Sequence, residues 1–257
     1  AAEPALTQSL KDIGLTAVAF ETVEESGGQL PLLAPMSIIA GRIAVQVGTH
    51  LLHQPQGGRG VLLGGLGGAE RGHIVVLGAG AAGGHAASLA AAGGARVTVF
   101  DKRTDRLEAM MAQADNISAL YPYSEAVAEA VSEADLVIGA VLVTGARAPH
   151  VVTREMVSEM APGSIMIDIS VDQGGCFETT KPTTYENPTY VVDGVMHFAV
   201  TNMPGAVPRT SSQALSAAIL PYVMKMAGSN WRDDPALVRG VNVEQGTVVH
   251  PALQEVA

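Results

Sequence analysis

The stretch from His73 to Asp101 decides the fold, and it reads HIVVLGAGAAGGHAASLAAAGGARVTVFD. The apolar run His73–Leu77 leads directly into a glycine-rich turn, Gly78-Ala79-Gly80-Ala81-Ala82-Gly83. An Ala-rich stretch of helical composition follows, and a second β-type run ends in Phe100-Asp101. Glycines at this spacing between a strand and a helix, with an acid closing the next strand, are typical of a dinucleotide-binding βαβ unit.

Each part of this motif has a physical role. We expect Gly78 to permit the tight turn, Gly80 to let the backbone approach a pyrophosphate, and Gly83 to allow close packing of helix on strand. The N-terminus of the helix offers free N–H groups to phosphates. Asp101 is suited to accept hydrogen bonds from ribose hydroxyls and would repel a 2′-phosphate, which favours NAD over NADP. The alternative is a crossover whose glycines serve packing alone.

Composition limits the class of protein. The chain has 257 residues, 47% of them hydrophobic, which is enough for a large core. A net charge of −10 without a basic run argues against nucleic acid as a partner. No apolar stretch approaches the roughly 18 residues of a membrane span. Cys176 is the single cysteine, which suits a reducing compartment. With no secretory signal at the start of the sequence, we expect a cytoplasmic protein that contacts no membrane and binds no metal.

Strands alternate with helices along the chain. Ser37 is predicted to cap a helix from Ile38 to about His53, and Gln56–Gly68 reads as a flexible glycine-rich connection. The buried apolar runs Asp135–Val141 and Ser164–Ser170 are typical of parallel strands. We therefore predict an α/β fold with a doubly wound parallel sheet of the Rossmann type. Ligands bind such sheets beyond the carboxyl ends of the strands. The informative loops follow Leu77, Phe100, Val141, Ser170 and Val200.

Two of these loops carry candidate chemistry. Asp172 lies in the loop Val171–Gly175, beside two glycines, where a nicotinamide would lie; an ordinary Asx-turn is the equal alternative. The second loop, Thr201–Ser211, contains two prolines and a glycine before a helix capped by Thr210 or Ser211. Here Asn202 is a candidate to hydrogen-bond a carboxamide or substrate, and Met203 to pack on a flat ring. A simple helix entry is the other interpretation of this loop.

Several strings together resemble the alanine dehydrogenase/transhydrogenase family. The resemblance runs through almost the whole chain, and DQGG and NMPGAVPRTS are its most specific strings. The matching stretches are Leu30–Gly48, Gln56–Gly65, Val76–Gly83, Ile138–Pro149, Ile167–Tyr190 and His197–Leu215.

The resemblance implies functions for individual residues. Asp172 matches the active-site aspartate of the family, and Arg106 and Lys181 keep a basic character at cofactor-contacting positions. The remaining implied cofactor contacts, in addition to the three motif glycines, are Ser37, Ala81, Ala82, Asp101, Val141, Leu142, Ile169, Ser170, Val171, Val200, Thr201, Asn202 and Met203. The implied reaction is the reversible, NAD-dependent oxidative deamination of L-alanine to pyruvate and ammonia.

Family members extend further at the N-terminus, where they carry the arginine and lysine that hold the substrate and the catalytic histidine. The resemblance therefore implies that residues 1–30 are a remnant of a catalytic domain, 31–206 the NAD-binding Rossmann domain, and 207–257 the C-terminal helices of the catalytic domain. We expect this chain alone to bind NAD but to turn over alanine poorly without the missing N-terminal segment. A homo-oligomer is expected, since relatives form hexamers.

Three other functions stay open. The first is a non-catalytic NAD-binding module. The second is a soluble transhydrogenase-like subunit, although the DQGG string argues against it. The third is another NAD-dependent amino-acid or hydroxy-acid dehydrogenase, which the local strings disfavour.

Overall fold

Alternating helices and strands make up residues 4–141 and 149–254, which are the residues that the computed structural model describes. The α-helices are α1 Pro4–Ile13, α2 Ala34–Leu51, α3 Ala81–Ala92, α4 Thr104–Met111, α5 Ser124–Ser132, α6 Arg154–Ser158, α7 Pro208–Met226, α8 Pro235–Arg239 and α9 Pro251–Gln254. The strands are β1 Ala17–Val18, β2 His73–Leu77, β3 Arg96–Phe100, β4 Ile117–Leu120, β5 Leu136–Gly139, β6 Ile165–Asp168, β7 Thr189–Val192, β8 Val195–Phe198, β9 Val241–Glu244 and β10 Thr247–Val248.

The chain divides into two compact units. Of the described residues, the larger unit contains 37–141 and 149–206, and the smaller one contains 4–36 and 207–254. The smaller unit has a three-stranded antiparallel sheet in the order β1-β9-β10. Its core includes Val23, Leu32 and Leu237. Helix α7 of this unit begins at Pro208, so Thr210 and Ser211 lie inside its first turn, and the cap predicted there is wrong.

The larger unit contains a seven-stranded sheet in the order β4-β3-β2-β5-β6-β8-β7. All neighbours are parallel except β7, which pairs antiparallel with β8. Every residue of β2, β5 and β6 is buried, as expected when helices cover both faces of a parallel sheet. From β2 the chain proceeds to β3 and β4 on one side, then to β5 and β6 on the other. The predicted doubly wound Rossmann fold is confirmed.

Helix α2 packs closely on this sheet through two glycines. A Cβ atom on Gly41 would overlap the carbonyl oxygen of Ala82, and one on Gly48 would lie 2.5 Å from a methyl group of Leu136. The helix therefore sits against the first turn of α3. Ser37 is inside α2, which begins at Ala34, so its predicted role as the N-cap is wrong. Pro35 favours the earlier start, because proline is well accommodated in the first turn of a helix.

The glycine-rich connection Gln56–Gly68 is not the loose segment that its composition suggests. The Gly60 N–H donates to the Leu52 carbonyl oxygen at 2.8 Å, and the Gly72 N–H donates to that of Leu63 at 2.9 Å. A Cβ atom on Gly64 would overlap the carbonyl oxygen of Gly93. Its glycines thus allow close backbone packing. Among the described residues, no helix has both the length and the hydropathy needed to cross a membrane.

His197 in β8 is a buried, neutral histidine. Its Nδ1 lies 3.0 Å from the carbonyl oxygen of Val195, which can only accept a hydrogen bond, so the ring proton belongs on Nδ1. The Nε2 atom then accepts from the Thr179 hydroxyl at 2.8 Å. The Tyr190 ring stacks on the imidazole with centroids 5.0 Å apart. Burial lowers the pKa of His197, and the charge of Lys181 lowers it further. The hydrogen bond to the Val195 carbonyl and the charge of Asp193 raise the pKa but do not outweigh burial.

We predict a loss of stability on acidification that depends on His197. Because its pKa is lower in the folded chain than in the unfolded chain, the unfolded chain binds more protons once the pH falls below about 6.5. Below that pH the free energy of unfolding should decrease with falling pH in the wild type more steeply than in His197→Gln. The difference between the two slopes should be at most about 1.4 kcal/mol per pH unit. Glutamine keeps an acceptor for Thr179 and does not titrate. Urea unfolding at pH 7.5, 6.5 and 5.5 checks this, and equal slopes would contradict it.

Candidate functional site

The candidate site lies at the carboxyl edge of the seven-stranded sheet. Because β2, β3, β5 and β6 are parallel, the residues that follow them emerge at the same edge. These include Gly78 after β2, Asp101 after β3, Val141 after β5 and Ile169 after β6. Asp172 follows Ile169 in the same loop. Strands β3 and β6 are three neighbours apart, or about 14 Å at the usual spacing. This edge can therefore receive an extended ligand.

The glycine turn after β2 is held by very close backbone contacts. Gly78 has φ +100°, and a Cβ atom there would lie 2.5 Å from the carbonyl oxygen of Ala140. A Cβ atom on Gly83 would overlap the carbonyl oxygen of Gly78. Gly80 is not closely packed, because a Cβ atom built there would have Nη1 of Arg106 as its nearest neighbour, 3.6 Å away. The backbone at Gly80 is thus open to a ligand, while Gly78 and Gly83 are closed by protein.

Asp101 supports this turn. Its Oδ2 atom accepts a hydrogen bond from the Ala79 N–H at 2.7 Å, and its Oδ1 atom accepts one from the Arg103 N–H at 2.8 Å. Nη1 of Arg106 lies 3.5 Å from Oδ2. Since each carboxylate oxygen has two lone-pair directions, acceptor capacity remains for a further donor. The side chain of Asp101 is 10% exposed, so such a donor would have to come from the edge of the sheet.

A cleft of about 320 Å³ opens beside the turn. This volume is at the lower end of the range for small-molecule sites. Burial lowers the pKa of His85, with Arg42 adding to the effect, and this histidine lines the cleft. Of the two lining residues in α4, the sequence singled out Arg106 but not Met110. The residues that line the cleft are Ala79, Gly80, Ala81, Gly84, His85, Ser88, Arg106, Met110 and Gln113.

These features fit the diphosphate of a dinucleotide. Helix α3 begins at Ala81, and its N-cap, Gly80, has no side chain to occupy the first N–H groups. Those groups have no intrahelical acceptor, and the helix dipole makes this end positive. Arg106, 41% exposed, adds a cation to the same cleft. The arrangement attracts an anion and leaves the backbone at Gly80 free for it to approach.

The loop after β6 carries Asp172 in a short 3-10 helix, Val171–Gln173. Asp172 is exposed, whereas Val171 is buried. The Ser170 hydroxyl donates to the carbonyl oxygen of Val141 at 2.7 Å, which joins this loop to the end of β5. The Oε1 atom of Gln173 is buried and has no hydrogen-bond partner among the described residues. A buried acceptor of this kind is suited to a donor from a ligand.

Two further loop segments complete the edge. Lys181 is exposed, and its N–H donates to the Tyr190 hydroxyl at 2.7 Å. Val200 is buried, Thr201 and Asn202 are exposed, and Asn202 has φ +55°. Met203 is 3% exposed, so protein atoms already cover most of the side chain that was expected to pack on a ligand ring. The predicted contact at Leu142 lies outside the described residues.

Asp168, which sequence reasoning did not single out, is the most heavily hydrogen-bonded side chain of this edge. It ends β6, is 1% exposed, and accepts from donors of the Asp172 loop. An acid closing an otherwise apolar strand, with Ser, Gly-Gly and Thr following it, was the available signal. In the described part of the chain, no group of three His, Cys, Asp or Glu side chains is arranged to hold a metal ion.

Comparison with known proteins identifies the family. The sequence profile described as "Alanine dehydrogenase/PNT, C-terminal domain" matches residues 44–251. The chain belongs to this family. It is 50% identical to an alanine dehydrogenase of Halomonas elongata over 260 residues, which is 99% of this chain and 70% of that protein. It is 47% identical to an alanine dehydrogenase of Mycobacterium tuberculosis, over 97% of this chain and 68% of the relative.

Solved structures agree with this family assignment. One titled L-alanine dehydrogenase superposes with a TM-score of 0.93 at 49% identity, covering 99% of this chain and 72% of the other. A transhydrogenase of Sinorhizobium meliloti superposes with a TM-score of 0.81 at 24% identity, covering 96% and 72%, and supports the fold alone. Membership in the alanine dehydrogenase/PNT family, together with the Rossmann sheet, implies a dehydrogenase with a nucleotide cofactor.

We predict that Gly83 is essential to the packing of the turn, whereas its neighbour Gly84 is not. Gly83→Ala would force a Cβ atom onto the carbonyl oxygen of Gly78 and should cost about 1–3 kcal/mol, the usual penalty of overpacking. Gly84→Ala adds only ordinary contacts, the nearest at 3.6 Å, and should stabilise α3 by up to about 1 kcal/mol. Thermal unfolding of both variants measures this. Equal changes in Tm would contradict the role of Gly83.

Proposed function

We propose that this chain binds NAD and acts in the reversible oxidative deamination of L-alanine to pyruvate and ammonia. The observation that carries the proposal is the position of two carboxylates at one edge of the sheet. Asp101 lies beside the glycine turn, and Asp172 is exposed three strands away. The relatives named alanine dehydrogenase, at 46–50% identity over nearly the whole chain, supply the substrate class.

The cofactor is proposed to bind along the edge from Asp101 to Asp172. The N-terminus of α3 and the guanidinium of Arg106 would hold the diphosphate, and Asp101 would accept hydrogen bonds from the ribose hydroxyls of the adenosine half. The loop residues Ile169, Ser170 and Val171 would lie along the nicotinamide half, with Asn202 opposite them. Ser37, Ala82, Lys181 and Val200 are proposed to complete the cofactor site.

When bound, NAD supplies a hydride acceptor for the Cα–H of alanine. The task of Asp172 is to orient the substrate. Its exposed carboxylate would accept hydrogen bonds from the amino group of alanine, and later from the water that adds to the imine. Orientation of this kind supplies a large part of the rate of such reactions. An exposed carboxylate on a short, hydrogen-bonded helix suits the task, because the side chain is open to a ligand while its backbone is held.

The first test separates Asp172 from cofactor binding. The assay is run with the N-terminal segment that the family resemblance implies supplied as a second chain. In Asp172→Asn, NADH formation from alanine and NAD should then fall by about 100-fold or more, the usual cost of losing a group that transfers a proton or orients the substrate. The Kd for NADH, followed by its fluorescence, should change by less than about twofold, because Asp172 is proposed to contact substrate rather than cofactor. Retained turnover, or loss of NADH binding, would refute this role. A wild-type chain that fails to bind NADH would refute the proposed function itself.

The second test concerns the choice of coenzyme. Asp101→Ser removes the negative charge that repels a 2′-phosphate. It also leaves Arg106 without its carboxylate neighbour, so that Arg106 can pair with the phosphate. The ratio of NADPH to NADH affinity should rise about tenfold or more, equivalent to about 1.4 kcal/mol. Asp101→Asn is a second variant that loses the charge but keeps a carbonyl oxygen as acceptor for the Ala79 N–H, so it should shift the ratio in the same direction. If neither variant shifts the ratio, Asp101 does not discriminate between the coenzymes.

A further inference from the structure

Asp168 collects hydrogen bonds from both ends of the Asp172 loop. Its Oδ1 atom accepts from the Ser170 N–H at 2.9 Å. Its Oδ2 atom accepts from the Cys176 N–H at 2.8 Å and from the Thr180 hydroxyl at 2.5 Å. The Cys176 thiol points at Oδ1, 3.6 Å away. All these donors come from the stretch 170–180, which contains Asp172.

The buried charge of Asp168 is held by hydrogen bonds from neutral groups. Burial raises the pKa of its carboxyl group, while the hydrogen bonds from Thr180, Cys176 and Ser170 act in the opposite direction. No Lys or Arg forms an ion pair with it in the described part of the chain. Asp135, the other buried aspartate of the sheet, does pair with a cation, Arg59, at 2.6 Å. Burying a charge costs free energy, so stabilisation of the fold does not by itself account for Asp168. The organisation of the loop that donates to it does.

The loop is shaped around this carboxylate. Gly175 has φ +79°, and a Cβ atom there would lie 2.7 Å from Oδ2 of Asp168. The chain therefore closes over the carboxylate only with glycine at this position. Ser170 and Cys176 are fixed at the two ends, and between them the chain folds into the 3-10 helix that buries Val171 and exposes Asp172.

We propose that Asp168 is a positioning residue, which holds the loop 169–176 so that Asp172 meets the substrate and Ile169–Val171 meet the cofactor. The proposal rests on the proposed function for the roles of Asp172 and the cofactor. Asp168 itself is enclosed by protein, so it acts through the loop and touches neither ligand.

The central variant is Asp168→Asn. Asparagine has nearly the same shape, but only one of its two terminal atoms accepts hydrogen bonds. The Ser170 and Cys176 N–H groups approach different oxygens of the aspartate, so one of them must face an NH2 group. Amide hydrogen exchange in 169–176 should rise about tenfold or more, as expected when a local opening becomes easier. The Kd for NADH should rise several-fold. With the N-terminal segment supplied as a second chain, kcat for alanine should fall more than the KM changes.

Two sets of controls separate positioning from general stability. Thr180→Val removes the hydroxyl donor in a side chain of similar size and should give a smaller version of the same changes. Thr180→Ser keeps the donor and should behave like the wild type. Asp135→Asn disturbs a buried carboxylate at the opposite edge of the sheet, where it accepts from the His73 N–H at 2.8 Å. It should lower Tm without changing exchange in 169–176, Kd or kcat.

The outcomes are distinct. The proposal is overturned if amide exchange in 169–176 is unchanged in Asp168→Asn. It is also overturned if exchange increases while kcat and Kd stay unchanged, or if Asp168→Asn and Asp135→Asn have equal effects. If Asp168→Asn proves too unstable to purify, the Thr180→Val and Thr180→Ser pair decides by the same readouts. A wild-type chain that binds NADH but does not oxidise alanine even with the N-terminal segment supplied as a second chain would refute the proposed reaction. The NADH affinities and exchange rates of the variants would then decide the positioning role by themselves.

Discussion

Close backbone contact at the turn after β2 is the constraint on which the site depends. Side chains larger than hydrogen do not fit at Gly78 and Gly83, because carbonyl oxygens already occupy the space. As a result α3 starts immediately beyond the end of β2, and its positive N-terminus lies at the edge of the sheet rather than over its face. Asp101 reaches the Ala79 N–H only because the turn is this tight. The anion-attracting cleft follows directly from that geometry.

The three aspartates of this edge differ in solvent exposure, and their proposed roles differ accordingly. Asp172 is exposed and accessible to a substrate. Asp101 is largely enclosed; its carboxylate accepts a hydrogen bond from the glycine turn and keeps acceptor capacity at the edge of the sheet. Asp168 is fully enclosed, and its oxygens accept only from the protein. A parallel sheet makes this possible, because it brings the ends of sequentially distant strands to one edge.

The βαβ unit and the doubly wound parallel sheet could be predicted because their signals are local: apolar runs that alternate with helical stretches, and a glycine turn between strand and helix. The positions of helix starts were less predictable. Ser37 and Ser211 have hydroxyls typical of caps, yet prolines nearby allow the helices to begin earlier. The Gln56–Gly68 connection was misjudged because glycine serves both flexibility and close backbone contact. Only the tertiary structure, with Gly64 against Gly93, distinguishes the two.

Asp168 was missed because a single acid in an apolar run looks like an ordinary strand end. Its importance comes from the backbone N–H groups that the loop turns inward at Ser170 and Cys176. An apolar side chain at this position would leave both groups without an acceptor, at about 1–3 kcal/mol each. That penalty offsets part of the cost of burying the carboxylate. The remaining cost is associated with a loop that has one defined shape instead of several.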